Sequence, residues 1–216
     1  MKLFRSPSHS SAVAAGDLIE VSGAIVGARA LTMPTDDAKP LEFPALYRRY
    51  FHESCRWIRA LGAPESELED LAQEVFVIAR RKYGAEELGN PAGWLYRIAW
   101  NVVSDYRRRS WWRHLFSRRA DVSVEDISTT DGPVEAYDRA ERARLLERVL
   151  ARMSTVRRAT FVLFEIEGYT GEEIAALQGI PIKTVWTRLH HARKSFVELV
   201  RDERRELEKR MKEKRK

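Results

Sequence analysis

Residues 168–194 read GYTGEEIAALQGIPIKTVWTRLHHARK, and this stretch decides the fold because it predicts two helices joined by a tight turn. Thr170 followed by Glu173 forms a capping box, in which each side chain satisfies a backbone amide at the start of a helix. Gly179 can take the left-handed conformation that ends that helix. Pro181 suits the first turn of the next helix, where no amide partner is lost. The stretch therefore predicts a helix-turn-helix.

The second of these helices has one apolar face and one basic, polar face. Val185, Leu189 and Ala192 recur at helical spacing and face inward. The outward side chains are of the kinds that a recognition helix presents to the major groove of DNA. A surface helical hairpin with a solvated charged face is the alternative. The capping box, the glycine turn and the inward-facing positions each indicate a helix-turn-helix independently, and this agreement favours the DNA-reading interpretation.

Composition and charge exclude several classes of protein. The 216 residues are 44% hydrophobic, which is enough for one or two domains with real cores. Net charge is +6, and residues 183–216 carry 13 Lys or Arg against 6 Asp or Glu, so the carboxyl end should attract polyphosphate. Cys55 is the single cysteine, and no Cys/His cluster has metal-ligand spacing, so neither a disulfide nor a metal or other cofactor is predicted.

The amino terminus contains no apolar run long enough for a signal peptide or a membrane span. We therefore expect a cytoplasmic protein with no membrane insertion.

The periodicity of apolar residues predicts three further helices upstream, at about residues 43–61, 68–83 and 92–109. Short connections would make them one compact domain. The predicted fold class is all-α, with two small helical domains joined by a flexible linker and the helix-turn-helix in the second. The predicted limits are 1–40 for a flexible extension, 41–111 for the first domain, 112–134 for the linker, 135–201 for the second domain and 202–216 for a basic tail.

Two motifs in the first domain precede the helix-turn-helix in a recognisable order. Residues 68–80, LEDLAQEVFVIAR, form an acidic helix, and residues 90–109, NPAGWLYRIAWNVVSDYRRR, form an aromatic helix with a basic end. A polar linker and the ending RLHHARK follow. This order closely resembles the extracytoplasmic-function sigma factors of bacterial RNA polymerase, over about residues 43–200.

The resemblance implies a protein that performs no chemistry and directs RNA polymerase to promoters. Its first domain would bind the core enzyme and open the minus-ten element, and its second domain would read the minus-thirty-five element. Core polymerase, promoter DNA and an anti-sigma factor are the implied partners. The implied core-binding residues are Asp70, Gln73, Glu74 and Phe76. The implied minus-ten residues are Glu87, Leu88, Gly89, Asn90, Arg97, Asn101, Asp105 and Arg108. The implied minus-thirty-five residues are Lys183, Thr184, Trp186, Thr187, Arg188, His190 and Arg193.

Two other functions compete with this one. A stand-alone regulator could bind duplex operators through the helix-turn-helix, but it would leave the acidic and aromatic helices of the first domain without a role. A nucleic-acid-processing enzyme would need a nucleophile, a metal cluster or paired carboxylates in a pocket. Asp70 and Glu74 are neighbours on an exposed helix face, and no third group is placed to complete a site.

Overall fold

The computed structural model describes residues 42–84, 89–116 and 133–213, and all regular secondary structure in these ranges is helical. A 3₁₀ turn, Glu65–Glu67, precedes the second helix, and a π-helical turn, Val162–Ile166, continues the fifth. This confirms the predicted all-α fold class. The helices are α1 (Phe43–Leu61), α2 (Leu68–Lys82), α3 (Pro91–Phe116), α4 (Pro133–Arg152), α5 (Thr155–Phe161), α6 (Gly171–Gln178) and α7 (Ile182–Glu213).

Helix ends differ from the predicted domain limits at three points. Helix α3 continues to Phe116, beyond the limit at residue 111, and α4 begins at Pro133, inside the predicted linker. Helix α7 continues through the predicted tail to Glu213, because residues 202–213 are mostly Glu, Lys, Arg, Leu and Met, which favour helix. The predicted extension and most of the predicted linker lie outside the described residues.

The first domain packs α1, α2 and α3 against one another. Trp57 of α1, Val75 of α2 and Leu95 of α3 are each fully buried at its centre. Gly62 ends α1 with a φ of 102°, a left-handed conformation that a residue without Cβ adopts at little cost. The domain presents α3 toward the helix-turn-helix.

The second domain is built on the contact of α5 with α7. The rings of Phe161 and Phe196 stack with their centroids 4.7 Å apart. Helix α4 packs along the carboxyl-terminal half of α7, where the buried carboxylate of Glu203 accepts hydrogen bonds from Arg148 at 3.2 Å and from Arg152 at 3.0 Å. This carboxylate fixes α4 to α7.

The two domains are in direct contact and share one continuous buried cluster. Helix α1 packs on α5, and α3 packs on α6. The indole N–H of Trp57 donates a 2.9 Å hydrogen bond to the hydroxyl of Tyr169, 112 residues away. The sequence predicted two domains, and the structure adds that they are docked.

We expect Glu203→Gln to lower the free energy of unfolding by about 1–2 kcal/mol at neutral pH, because two charge-assisted hydrogen bonds are weakened. Burial raises the pKa of the Glu203 carboxyl, but the hydrogen bonds from Arg152 and Arg148 outweigh that effect and hold the pKa below its usual value. The contribution is therefore present above the unfolded-state pKa and is lost as pH falls through the folded-state pKa.

Denaturant unfolding at neutral pH and near pH 3 measures this difference, which should shrink in acid. Glu206→Gln is the matched control, because Glu206 is exposed and its carboxylate is 4.0 Å from the Arg152 guanidinium. Equal losses of stability in the two variants would contradict the role of Glu203.

Candidate nucleic-acid interface

The turn of the helix-turn-helix is fixed by local hydrogen bonds. The Thr170 hydroxyl accepts from the Glu173 N–H at 3.2 Å, and the Glu173 carboxylate accepts from the Thr170 N–H at 2.8 Å. Gly179 ends α6 with a φ of 64°, and the N–H of Ile180 donates to the carbonyl of Ala175 at 3.0 Å. The predicted capping box and glycine turn are confirmed. The capping box sets where α6 begins, and the glycine turn sets where it ends.

The amino-terminal half of α7 presents a polar, aromatic surface to solvent. Its inward residues Val185, Leu189 and Ala192 are buried, as the sequence predicts. The predicted residues that are exposed on the opposite side are Lys183, Trp186, Thr187 and His190. The exposed Thr187 hydroxyl donates to the Lys183 carbonyl at 2.9 Å and can still accept a hydrogen bond through its oxygen.

Two arginines of α7 that the resemblance implies at the minus-thirty-five element have partners inside the protein. Arg188 is half-buried and donates to the Gln178 side chain at 2.9 Å. Arg193 donates to the Glu165 carboxylate at 2.6 Å, with its guanidinium 5.5 Å from the centre of the Phe164 ring. Thr184 is also half-buried. Sequence reasoning missed these partners because they belong to other helices.

The Trp186 side chain packs against Phe164 and Gly171, and the sequence did not predict these contacts. The indole is 46% exposed, yet it meets the Phe164 ring edge-on at 5.6 Å. Its other end lies over Gly171, where an added Cβ would be 2.6 Å from the indole Cζ2. A glycine in the first turn of α6 therefore makes room for an aromatic side chain beside the other exposed residues of α7.

Helix α3 carries the residues predicted to face the minus-ten strand. Spacings of four, four and three place Arg97, Asn101, Asp105 and Arg108 on one exposed stripe. Asp105 and Arg108 form an ion pair at 3.0 Å. The half-buried Trp94 lies near this stripe and gives the surface aromatic as well as cationic character. Such a combination suits single-stranded nucleic acid.

Asn90 caps α3 and contacts the second domain with the same side chain. Its Oδ1 accepts from the Gly93 N–H at 2.9 Å, and its Nδ2 donates to the Ala176 carbonyl at 2.8 Å. Gly89 is exposed beside it. The predicted minus-ten residues Glu87 and Leu88 lie outside the described residues.

A cleft of about 430 Å³ lies between α3 and the helix-turn-helix, beside the contact of Asn90 with Ala176. One wall consists of α3 residues and the other of the α6–α7 turn. Burial raises the pKa of the Tyr96 hydroxyl in this cleft. The side chains that line the cleft include Trp94, Tyr96, Arg97, Trp100, Gln178 and Arg188.

The acidic face of α2 is exposed to solvent, but Phe76, one of the predicted core-binding residues, is not on this face. Asp70, Gln73 and Glu74 are exposed, whereas Phe76 is 3% exposed. Phe76 packs against the aromatic rings of α1, so it supports the helix from within and does not offer a contact surface. Val77 is 52% exposed and lies one turn beyond Gln73. It is the apolar residue that this face presents, and sequence alone could not rank it above Phe76.

Within the described ranges, no group of three or more His, Cys, Asp or Glu side chains could hold a metal ion. No helix in the same ranges is long and apolar enough to cross a membrane.

A helix-turn-helix docked on a helical domain with an aromatic, cationic stripe is typical of a DNA-binding protein, and comparison with known proteins identifies the family. Residues 46–113 match Sigma-70 region 2, and residues 143–196 match Sigma-70, region 4. The ECF RNA polymerase sigma factor SigE of Mycolicibacterium smegmatis is 28% identical over 194 residues, which cover 88% of this chain and 74% of SigE. The RNA polymerase sigma factor NccH of Alcaligenes xylosoxydans xylosoxydans is 30% identical over 163 residues, which cover 73% of this chain and 86% of NccH.

A solved structure gives the same result. CnrH in complex with the cytosolic domain of CnrY matches with a TM-score of 0.50 and 26% identity, over 74% of this chain and 88% of that one. The chain belongs to the extracytoplasmic-function sigma factors of bacterial RNA polymerase. It is a non-enzymatic protein that initiates transcription from promoters, with core polymerase and promoter DNA as its partners, and it binds DNA through the region 4 helix-turn-helix.

We expect Gly171→Ala to displace the Trp186 indole from its contact with residue 171, because the new Cβ would lie 2.6 Å from Cζ2 and 2.9 Å from Cη2 of the indole. The indole can swing toward solvent, so the melting temperature should change little. The indole N–H resonance of Trp186 in an amide correlation spectrum should shift while the resonances of the other five indoles stay in place. An unmoved Trp186 resonance in the variant would show that the indole does not rest on Gly171.

Proposed function

We propose that three separate faces of this sigma factor divide the work of promoter recognition. The exposed face of α2 binds core polymerase, the stripe on α3 holds the melted minus-ten strand, and the outer face of α7 reads the minus-thirty-five element. The observation that carries this proposal is that most of the implied contact residues are exposed and lie on three different helices. Each face can therefore meet its own partner when the domains are apart.

The proposed core-binding face combines charge with one apolar side chain. Val77 is exposed on the same helix as Asp70, Gln73 and Glu74. Carboxylates steer a basic partner toward the face, and the desolvated apolar contact contributes affinity. Glu74 also lies 3.8 Å from Arg109, an exposed ion pair that a stronger partner can displace at little cost.

The proposed minus-ten face would act by differential binding. Arg97 and Asn101 offer a cation and an amide on one stripe, and Trp94 offers an aromatic surface beside them. These groups can bind unpaired bases and their phosphates but not the same bases inside a duplex. Binding to the open strand then offsets unpairing, which costs a few kcal/mol per flipped base.

The proposed minus-thirty-five face would read base edges in the major groove. Thr187 and His190 can exchange hydrogen bonds with bases, and Trp186 offers an apolar edge to a thymine methyl group. Lys183 is an exposed cation for phosphate. Arg188 and Arg193 can contribute to phosphate binding once they exchange Gln178 and Glu165 for DNA.

We also propose that this chain works in the cytoplasm and is restrained by an anti-sigma factor. The relative CnrH was solved with the cytosolic domain of CnrY bound. Reconstitution of promoter-specific transcription from purified core enzyme and this chain tests the proposed function as a whole. A stand-alone regulator would bind its DNA without adding any initiation.

Asp70→Lys combined with Glu74→Lys should weaken binding to core polymerase and leave the fold intact, because both residues are exposed and surface changes usually cost within about 0.5 kcal/mol of stability. Core affinity and thermal melting are measured side by side. Glu208→Lys, which reverses charge at the exposed far end of α7, is the matched control. Unchanged core affinity in the double variant would rule out the α2 face.

Thr187→Ala or His190→Ala should alter base preference at the minus-thirty-five element by roughly 1–3 kcal/mol at the contacted position and leave minus-ten preference unchanged. Arg97→Ala and Asn101→Ala should do the reverse, because they alter the face for the open strand. Transcription of a promoter library randomised at both elements measures both effects at once. A shift in minus-thirty-five preference caused by the α3 variants would contradict the division of work.

A further inference from the structure

The cleft between α3 and the helix-turn-helix has the size of a small-molecule site. Its volume is about 430 Å³, and ligand pockets typically enclose roughly 300–1,000 Å³ and often lie between domains. The hydrogen bond from Asn90 to the Ala176 carbonyl joins its two walls. Gly89 and Gly179 also line the cleft, and a Cβ added at either would meet no atom within 4 Å, so these positions leave it open.

The α3 wall of the cleft is aromatic. Trp94 and Trp100 line it and are both half-buried, so part of each indole is available to a molecule in the cleft. The ring of Tyr96 lies on the same wall. Aromatic side chains of this kind bind planar rings by stacking or by edge contacts. The wall therefore favours a ligand that contains a planar aromatic ring.

The cleft is also cationic from both sides. Arg97 of α3 and Arg188 of α7 line it, and none of the described residues that line it is Asp or Glu. Arg188 donates to the neutral Gln178 amide at 2.9 Å, and this contact does not balance its charge. A guanidinium in a partly enclosed site binds carboxylate or phosphate strongly. The charge of the cleft therefore favours an anion.

One polar group in the wall of the cleft is unsatisfied. The Tyr96 hydroxyl is buried and has no hydrogen-bond partner among the described residues. The Gln178 side chain lies near it, but the oxygen of that amide accepts from Arg188. Buried polar groups in proteins are nearly always hydrogen-bonded, so an unpartnered one calls for an explanation. A polar atom of a bound molecule would supply the missing partner.

We propose that this cleft binds a small aromatic anion, a planar ring that carries one carboxylate or phosphate group. The ring packs against Trp94 and Trp100, and the anionic group lies between Arg97 and Arg188. A ligand held in this way contacts both domains at once. It therefore binds the docked arrangement of the two domains and favours it over any arrangement in which they are apart.

The test titrates the free chain with two aromatic anions, adenosine monophosphate and naphthoate, and follows the indole N–H resonances of its six tryptophans. Adenosine supplies a ring without the charge, and inorganic phosphate supplies the charge without a ring. At least one aromatic anion should shift the Trp94 and Trp100 resonances saturably and leave that of Trp186, on the outer side of α7, in place. Adenosine and phosphate should each bind at least about tenfold more weakly.

Two variants remove one cation from each wall. Arg97→Gln and Arg188→Gln should each weaken binding of the aromatic anion about tenfold, because each removes a charge-assisted contact. Arg204→Gln is the matched control, because it removes an exposed cation of α7 outside the cleft, and its affinity should stay within about twofold of the parent. Thermal melting without ligand shows that each variant is folded. Arg97 is exposed, so its replacement should leave the fold intact even if that of Arg188 does not.

No saturable shift with either aromatic anion would overturn the inference. Equal affinity for adenosine and adenosine monophosphate would overturn the choice of an anion, and a loss in the Arg97 variant alone would show that the ligand contacts only α3. If only a single-stranded oligonucleotide moved the Trp94 and Trp100 resonances, the cleft would belong to the promoter strand and the inference would fail. None of these measurements involves polymerase, so they are independent of the proposed division of promoter recognition.

Discussion

The arrangement of the two described domains depends on the buried hydroxyl of Tyr169. It lies just before the capping box of the helix-turn-helix, yet its partners Trp57 and Glu53 belong to the first helix of the other domain. A buried indole N–H or phenol without a partner costs about 1–3 kcal/mol, so the two domains satisfy these groups together only in one register. That register in turn decides which surfaces of α3 and α7 meet solvent.

Local signals made the helix-turn-helix predictable. Thr170, Glu173, Gly179 and Pro181 act on residues at most four positions away, so their effect is written in consecutive sequence. The all-α class follows from apolar periodicity for the same reason. Where a helix stops is harder to predict, and α3 continues to Phe116 because nothing in the preceding residues breaks it.

Site residues whose environment is tertiary were less predictable. Phe76 and Val77 are adjacent apolar residues about 100° apart on α2, and only the aromatic rings of α1 decide that the first is buried and the second exposed. Likewise, Arg188 and Arg193 look like free cations in sequence, but Gln178 and Glu165 of neighbouring elements bind them. The contact of Asn90 with Ala176 joins residues 86 apart, and no pattern within either motif announces it.

Helix α7 is a single unbroken rod of 32 residues, about 48 Å long. Its first turns form the second helix of the helix-turn-helix, and its far half is held against α4 through the Glu203 carboxylate. Because α7 is one continuous helix, a displacement of its far half against α4 is carried along the helix axis to the helix-turn-helix, although no residue of α4 belongs to that motif.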